Sequence, residues 1–288
     1  MSRIVYVNGQ YLPHEKATVH VEDRGYQFAD GVYEVFAVED GRLADAGPHF
    51  ERLERSLREL DIAPALSRGA LDHIIREVIR RNRLRVGIVY LQMTRGVARR
   101  DHGFPADAST SLVITARRGG RPNPALQDAG VKVITVPDIR WERCDIKSVS
   151  LLPNVLAKQE ARRAGAFEAW QVDKDGFVTE GSSTNAWIVD GEGHLVTRQL
   201  ENAILSGVTR LVLSDLAERE GIAIVERPFS ADEAKSAPEA FLTSTTSFVM
   251  PVIRIDDVDI GNGEPGPVTK KLRALYETHL RGEGRNAP

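Results

Sequence analysis

The first 118 residues carry two spacings of apolar positions, one typical of strands and one typical of helices. Alternation predicts strands over 4–7 and 10–12, joined by Asn8-Gly9, a pair typical of a tight hairpin turn. Helical spacing predicts two helices, over 48–60 with the stripe Phe50, Leu53, Leu57 and Leu60, and over 71–84 with the stripe Ile74, Ile75, Val78 and Ile79. Further strands are expected over 32–38, 87–94 and 111–116. The first half therefore predicts the order ββ-αα-ββ.

The pattern breaks at Gly119-Gly120-Arg121-Pro122-Asn123-Pro124, which is rich in residues that end helices and strands. Beyond it, strands are expected over 131–136, 169–172, 177–178, 185–189, 223–226, 241–243 and 252–255, and helices over 153–165, 208–219 and 269–280. We therefore expect two α+β domains in series. The small N-terminal domain covers 1–118, an interdomain linker covers 119–130, and a larger domain covers 131–288, with the active site between the halves.

Composition narrows the class of protein. The chain has 288 residues, of which 42% are hydrophobic and 27% charged, which excludes a disordered chain. The net charge of −3 gives no drive toward nucleic acid or an anionic membrane. Apolar runs stay well below the roughly 18 residues of a membrane span, and the first ten residues do not resemble a signal peptide. The single cysteine, Cys144, excludes an intrachain disulfide, so a cytoplasmic location is expected.

Common catalytic motifs do not occur in the sequence. It has no HExxH, CxxC, Walker loop or GxSxG elbow, and no GxGxxG follows a strand. Its seven histidines are scattered without zinc-like spacing, so no metal is expected.

Three clusters of small hydroxyl residues stand out in the second half, over 180–185, 206–210 and 243–247. The second cluster opens an apolar helix, and a helix N-terminus binds phosphate through its free N–H groups. Gly207 would allow close approach and Thr209 adds a hydroxyl donor; the alternative is that Ser206 is merely the N-cap. Three such segments in one domain suggest a phosphate-bearing ligand without a nucleotide fold. Pyridoxal phosphate fits, because its phosphate needs only hydrogen-bond donors and its aldehyde needs a lysine.

Eight lysines are available, against 30 arginines. Six of them lie among polar or turn residues or on helices, namely Lys16, Lys158, Lys174, Lys235, Lys270 and Lys271. Lys147 differs, because it lies in the extended, alternating stretch Cys144-Asp145-Ile146-Lys147-Ser148-Val149. Burial there would favour the neutral amine, which is the form that attacks a carbonyl. We interpret Cys144 as a packed thiol and not as a nucleophile.

Several long motifs resemble, in order and over nearly the whole chain, those of the fold-type IV, pyridoxal-phosphate-dependent (class IV) aminotransferases, and most closely the D-amino-acid transaminases among them. The motifs are residues 22–34 (EDRGYQFADGVYE), 49–53 (HFERL), 140–148 (RWERCDIKS), 178–185 (VTEGSSTN), 204–210 (ILSGVTR) and 243–247 (TSTTS).

The resemblance assigns roles to residues at the matching positions. Lys147 would bind the cofactor covalently and shuttle the proton between the substrate Cα and the cofactor's C4′. Glu180 would pair with the pyridine nitrogen, and Leu205 would pack on the ring. The phosphate would be held by Arg52, the Val208 and Thr209 amides, the Thr209 hydroxyl and Thr245, with Ser244 nearby. Ser183 is a weaker candidate near Lys147 and the cofactor.

The D-amino-acid members share an Arg-x-His pair on a loop, which Arg100 and His102 match. An arginine fork holds a substrate carboxylate, and His102 and the Tyr33 hydroxyl add donors. Arg99 and Asp101 depart from the family pattern and leave open which arginine binds. In the family this loop reaches the neighbouring subunit's site, which implies a homodimer.

The resemblance implies ping-pong transamination from a D-amino acid such as D-alanine to a 2-oxo acid such as 2-oxoglutarate. The alternatives on the same fold are a branched-chain L-amino-acid transaminase, an (R)-amine transaminase and a 4-amino-4-deoxychorismate lyase. A further alternative is a non-catalytic binding homologue, against which the presence of Lys147 and Glu180 weighs. The sequence does not rank the side chains of the substrate.

Overall fold

The computed structural model describes residues 3–282, which contain both helices and strands. The helices are α1 (Arg24–Phe28), α2 (Ala46–Glu59), α3 (Arg68–Arg81), α4 (Pro124–Ala129), α5 (Leu152–Arg163), α6 (Val208–Arg219), α7 (Ala231–Ser236) and α8 (Pro267–Arg281). The strands of the first half are β1 (Ile4–Val7), β2 (Gln10–Pro13), β3 (Gly31–Glu39), β4 (Arg42–Leu43), β5 (Gly87–Thr94) and β6 (Ser111–Arg118). Those of the second half are β7 (Val131–Pro137), β8 (Glu168–Val172), β9 (Val178–Gly181), β10 (Asn185–Val189), β11 (Leu195–Thr197), β12 (Ile224–Glu226), β13 (Glu239–Ser244), β14 (Phe248–Ile255) and β15 (Val258–Asp259). The expected α+β class is confirmed.

The chain forms two compact units. Unit 1 consists of the described residues up to Gly120 together with the short segment Ile146–Ser150, and unit 2 consists of Arg121–Asp145 and the described residues from Leu151 onward. The segment 119–130, which the sequence predicts as a linker, contains the short helix α4, capped by the Asn123 side chain. Pro124 begins that helix, where its missing N–H costs no hydrogen bond.

The sheet of unit 1 has six strands in the order β2-β1-β6-β5-β3-β4. All its pairings are antiparallel. The predicted hairpin at its edge is confirmed: Asn8 and Gly9 both have positive φ, at 45° and 96°, as a turn matching the twist of the strands requires. Asp40 and Gly41 make a second turn of this kind between β3 and β4.

Helices α2 and α3 contribute the other half of the core of unit 1. The stripe of α2 is buried at Phe50, Leu53 and Leu57, as its spacing predicts. On α3 three of the four predicted positions are buried, Ile75, Val78 and Ile79, whereas Ile74 is only partly buried and Leu71 joins the core. The helix begins at Arg68, three residues earlier than predicted. This earlier start is capped by the Ser67 hydroxyl.

Unit 2 is built on a mixed sheet of nine strands. Eight follow the order β12-β11-β10-β13-β14-β7-β8-β9, and β15 pairs with β14. Parallel pairing joins β7 to β8 and to β14, and β11 to β12, while the other pairs are antiparallel. Strand β10 is buried along its whole length and lies inside the sheet, as a continuous apolar run of this kind indicates. Within residues 3–282, no helix has the length and apolar character needed to cross a membrane.

Candidate active site

The backbone of Lys147 is fixed by unit 1, although the residues on either side of its short segment belong to unit 2. The amide of Tyr33 on β3 donates to the Lys147 carbonyl at 3.0 Å, and the Lys147 amide donates to Ser56 Oγ on α2 at 3.2 Å. Val149 N donates to Gly31 O at 3.0 Å. The segment is irregular, with a single bridge from Ser148 to Val32, and does not continue the alternation suggested by the sequence.

The side chain of Lys147 is half-buried against an aromatic pair. Its Nζ lies 4.2 Å from the centroid of the Tyr33 ring, within the range of a cation–π contact. Tyr33 in turn stacks on Tyr90 with 5.7 Å between ring centroids. The Tyr90 hydroxyl donates to Gln92 Oε1 at 2.6 Å, and burial, helped by Tyr33, raises the pKa of Tyr90 to about 12. Tyr90 therefore remains a neutral hydrogen-bond donor at physiological pH.

A buried ionic cluster in the same unit joins β3 to α2. Glu34 is 0% exposed, and it accepts hydrogen bonds from Arg52 Nε and Nη2, both at 2.8 Å, and from His49 Nδ1 at 2.8 Å. Burial opposes ionisation of Glu34, but the Arg52 charge and the two hydrogen-bonding partners hold its pKa well below the usual range. Burial lowers the pKa of His49, and the charges of Arg52 and Lys147 add to that effect. The cluster therefore contains an ionised Glu34 beside a neutral His49.

Sequence reasoning missed Glu34 and His49 as partners of Arg52. A signal was present, because Glu34 is an acidic residue at an inward position of an otherwise apolar strand. Arg52 is 9% exposed, and two of the five N–H donors of its guanidinium are used on Glu34. Its predicted contact with a phosphate stays a prediction, and Glu34 fixes the orientation in which the guanidinium would make it.

Glu180, at the end of the buried strand β9, is held by donors from three directions in unit 2. Leu205 N donates to its Oε2 at 3.1 Å and Asn185 Nδ2 at 3.2 Å, while Arg140 Nη1 contacts its Oε1. Arg140 is itself fixed by Asp138, with Nη2 to Oδ2 at 2.7 Å. Burial opposes the charge on Arg140, but Glu180 and Asp138 raise its pKa. Both carboxylate oxygens of Glu180 are thus oriented by donors.

Arg140 belongs to a sequence motif of the resemblance, but its side chain was given no role there. The contacts that define its place join it to Glu180 across 40 positions of the chain, and to the Ala203 carbonyl across 63. No periodicity of the sequence indicates such contacts.

The N-terminus of α6 begins immediately after Gly207, which is its N-cap in an extended conformation. The alternative that Ser206 is the N-cap is therefore wrong. A Cβ at position 207 would collide with Asn185 Oδ1, so any other residue here would displace the Asn185 side chain. Val208 and Thr209 occupy the first turn and are both buried. Their amides have no partner within the helix, as in every helix, and the Thr209 hydroxyl lies 3.5 Å from the Tyr276 hydroxyl.

The other predicted cofactor contacts lie on loops of unit 2. Leu205 is fixed through its backbone, since its amide contacts Glu180 and its carbonyl accepts from Asn185 Nδ2 at 3.0 Å. Ser244 ends β13, and its Oγ accepts from the amide of Ser247 at 3.0 Å. Thr245 lies in the turn that follows.

Ser183 occupies the turn between β9 and β10. Its hydroxyl donates to Glu168 Oε2 at 2.8 Å, and Ser182 Oγ contacts the other carboxylate oxygen. Glu168, 0% exposed, was not identified from the sequence. The role of Ser183 near the cofactor stays a prediction.

Arg100 and His102 lie on an exposed loop of unit 1 and meet at the same aromatic ring. Arg100 Cζ lies 4.5 Å from the centroid of the Phe28 ring, and the His102 ring centroid lies 5.3 Å from it. Tyr33, the third predicted substrate contact, is placed beside Lys147 and Tyr90 instead. The structure thus brings two of the three residues together.

The surroundings of Cys144 agree with its interpretation as a packed thiol. Its Sγ contacts the Trp141 carbonyl at 3.1 Å. Burial raises its pKa to about 12, against the lowering effect of Arg140, so the thiolate is scarce at neutral pH. Across residues 3–282, no group of three or more histidine, cysteine or acidic side chains is placed to hold a metal ion.

The residues present fit pyridoxal phosphate in their chemistry. The cofactor needs an amine, a carboxylate for its pyridine nitrogen, and donors for its phosphate. Unit 1 provides Lys147 on a rigid backbone. Unit 2 provides Glu180, oriented by Arg140, and the first amides of a helix of 12 residues beside the Thr209 hydroxyl.

Comparison with known proteins agrees with this chemistry. The family model described as amino-transferase class IV matches residues 31–255. The D-alanine aminotransferase of Staphylococcus aureus (strain N315) is 39% identical over 277 residues, which are 96% of this chain and 97% of that protein. The D-alanine aminotransferase of Bacillus licheniformis is 39% identical over 279 residues, 97% and 98% of the two chains.

Solved structures of branched-chain amino acid aminotransferases share the fold. The Escherichia coli enzyme has a TM-score of 0.89 and 26% identity, covering 98% of this chain and 96% of that one. The T.th. enzyme with pyridoxamine 5'-phosphate has a TM-score of 0.90 and 25% identity, covering 98% and 95%. The expected fold is therefore confirmed, and the chain belongs to the amino-transferase class IV family as an aminotransferase of fold type IV.

Proposed function

We propose that this aminotransferase is a pyridoxal-phosphate-dependent D-amino-acid transaminase. It moves the amino group of a D-amino acid such as D-alanine to a 2-oxo acid such as 2-oxoglutarate. In the first half-reaction D-alanine leaves as pyruvate, and in the second the 2-oxo acid leaves as the new amino acid. Support comes from relatives named D-alanine aminotransferase that are 39% identical over nearly the whole chain.

The observation that carries this choice is the pairing of Arg100 and His102 on the Phe28 ring. A guanidinium fork binds a carboxylate with two parallel hydrogen bonds, and a neighbouring imidazole adds a donor. The side from which the α-carboxylate is held decides which face of Cα meets the catalytic amine. A trap of this kind therefore selects the enantiomer. Arg99, also exposed, remains a second candidate for the fork.

When bound, pyridoxal phosphate supplies an aldehyde that captures the amino group and a ring that takes up electron density from the breaking Cα–H bond. Glu180 would hold the proton on the pyridine nitrogen, and Leu205 would pack on the ring. We propose as phosphate contacts Arg52, the Val208 and Thr209 amides, the Thr209 hydroxyl and Thr245, with Ser244 and Ser183 close by.

Lys147 is the proposed general base and acid, removing the proton from Cα and returning it at C4′. Its backbone is fixed by three hydrogen bonds among residues 31–33, 56 and 147–149, so the amine swings only about its own side-chain torsions. The π-face of Tyr33 stabilises the cationic form that exists after proton abstraction.

A homodimer and a cytoplasmic location are part of the proposal. The exposed face of α5 carries Leu152, Val155 and Leu156, which are 69%, 58% and 50% exposed and follow helical spacing. Such an apolar face on a monomer favours burial against a second copy. The single cysteine suits a reducing compartment.

A branched-chain L-amino-acid transaminase is the second candidate, favoured by the solved structures with TM-scores up to 0.90. These structures are 25–26% identical to the chain, whereas the D-alanine aminotransferases are 39% identical. The higher sequence identity to the D-alanine aminotransferases favours the D-specific function.

Single-turnover half-reactions of the holoenzyme with D-alanine, L-alanine, L-leucine and (R)-1-phenylethylamine test the proposal. We expect D-alanine to react fastest, and Arg100→Ala to weaken its binding. Lys147→Ala should remove both turnover and the visible absorbance of the bound cofactor. Preference for L-leucine would instead establish the branched-chain candidate, and preference for the amine without a carboxylate would contradict the trap.

A further inference from the structure

Helix α1 (Arg24–Phe28) supports the loop that carries Arg100 and His102. A third side chain, that of Arg24, also lies over the ring of Phe28, with its Cζ 4.9 Å from the ring centroid. A cation over an aromatic face is held by the ring's quadrupole, which leaves the in-plane N–H donors of a guanidinium for a carboxylate. Phe28 can therefore orient Arg100 without competing for its ligand.

The same helix fixes the backbone of the loop. Arg24 Nη1 donates to the Asp101 carbonyl at 2.6 Å, and Nη2 contacts the His102 carbonyl at 3.4 Å. The third donor of this guanidinium, Nε, is held by Asp30 Oδ2 at 2.8 Å. Arg24 is 3% exposed, although the loop that it holds is exposed. A buried and oriented arginine thus sets the path of the chain between the two trap residues.

Asp30 connects this anchor to the start of the loop. The same Asp30 Oδ2 accepts from Arg95 Nε at 2.8 Å, and the Arg95 amide donates to the Asp30 carbonyl at 3.1 Å. Arg95 Cζ lies 3.6 Å from the centroid of the Phe104 ring, beyond the trap residues. One carboxylate therefore holds two arginines, which contact the loop at Asp101, His102 and Phe104, just after Arg100.

We propose that α1 is a positioning element for the recognition of the substrate carboxylate. Phe28 orients the side chains of Arg100 and His102, and Arg24, held by Asp30, fixes the backbone between them. The inference rests on the proposed D-amino-acid transaminase function. An exposed arginine loses much rotamer freedom when it binds a ligand, and a prearranged one loses less. Loss of the support should therefore weaken substrate binding more than it slows the chemistry.

The test is the steady-state KM and kcat for D-alanine of the holoenzyme in wild type, Arg100→Ala, Phe28→Leu and Phe28→Tyr. We expect Phe28→Leu to raise KM about two- to fivefold, as loss of an exposed cation–π contact predicts, with a smaller change in kcat. Phe28→Tyr keeps the ring and should retain the wild-type KM. The matched control is Tyr11→Leu, since Tyr11 makes a cation–π contact with Arg81 at 4.0 Å elsewhere in unit 1. It should leave KM unchanged while lowering thermal stability comparably.

A second variant, Asp30→Asn, tests whether Arg24 fixes the backbone of the loop. It also provides a test of the inference if Phe28→Leu does not fold. It should also raise KM for D-alanine. If Arg100→Ala raises KM while Phe28→Leu or Asp30→Asn retains the wild-type value, the inference is overturned and the proposed function stands. A KM for Phe28→Tyr as high as for Phe28→Leu also overturns it. If wild type does not use D-alanine, the proposed function fails and the inference fails with it. If wild type uses D-alanine but Arg100→Ala leaves its KM unchanged, Arg100 is not the fork, so the inference fails while the proposed function stands.

Discussion

Replacement of Glu34 by glutamine would separate the charge of the buried cluster from its shape. Glutamine has nearly the same volume and keeps one oxygen as an acceptor, but it removes the negative charge that faces Arg52. Glu34 is fully buried and Arg52 nearly so, and their paired atoms lie 2.8 Å apart. The substitution therefore leaves a buried guanidinium without its counter-ion.

The size of the effect follows from this geometry. Two unit charges about 4 Å apart interact by about 4 kcal/mol at an effective dielectric constant near 20. Breaking a buried ion pair by removing one partner typically costs about 3–5 kcal/mol. Because the amide oxygen retains one hydrogen bond to Arg52, we expect the lower end, a loss of about 3 kcal/mol in the free energy of unfolding of unit 1. This corresponds to about a hundredfold increase in the opening equilibrium.

Hydrogen exchange followed by mass spectrometry measures this loss locally. Peptides covering β3 (Gly31–Glu39) and α2 (Ala46–Glu59) should lose about a hundredfold of protection at neutral pH. The pKa of Glu34 is lowered on folding, so its contribution is present above the usual range of a carboxyl group and declines as pH falls into and below that range. The glutamine variant should therefore lose less stability than wild type when the pH is lowered below about 4.

Glu77→Gln is the matched control. Glu77 on α3 also accepts from two arginines, Arg80 and Arg81, but these are exposed to solvent, so its replacement should change protection little. Equal protection of β3 in Glu34→Gln and Glu77→Gln would refute the reasoning that burial gives the Glu34 pair its strength.

Three further predictions follow from buried groups. His49, whose pKa is lowered on folding by burial, should take up its ring proton at a lower pH than a histidine of the unfolded chain, as NMR of its ring nitrogens measures. Stability should fall as pH drops through about 6.5, where the unfolded chain takes up the proton first, and a ring that titrates no lower than that of the unfolded chain would contradict this. Cys144, with a pKa of about 12, should react with iodoacetamide at pH 8 far more slowly in the folded than in the denatured protein; equal rates would be inconsistent with its burial. Gly207→Ala should weaken pyridoxal phosphate binding at least tenfold in a fluorescence titration, because its Cβ displaces Asn185 from Glu180; unchanged affinity would show that the loop adapts.

Much of the fold was predictable because long periodic segments carry their own signal. The bounds predicted for β5, β10 and α6 agree with those observed. Elements that depend on tertiary contacts were missed. Helix α1 has five residues, too few for a periodic stripe, and it is stabilised by the Asp23 side chain, which caps it and also accepts from Thr94 on β5. The short strand β11 and the short helix α7 lacked a signal for the same reason.

The candidate site was predictable to the extent that it lies in local motifs. Lys147 and Glu180 stand in such motifs, and the resemblance, not periodicity, assigned their roles. Glu34 and Arg140 act through contacts across 18 and 40 positions of the chain, which spacing alone does not indicate. Their importance follows from burial, since charges removed from water need partners fixed close by.

The position of Lys147 in the sequence, far from the rest of unit 1, has a consequence for folding during synthesis. During synthesis, residues 3–120 are complete before Ile146, a core residue of unit 1, has been added. Until then, the first part of β3 is without the partners that bind Gly31 and Tyr33 through residues 147–149. At about 5–20 residues per second, the nascent unit 1 waits for these partners for a few seconds after Gly120 is added. A gene split after codon 120 would leave Lys147, the proposed catalytic lysine, on the wrong fragment, so reassembly of the two halves would have to restore this strand edge before it restored activity.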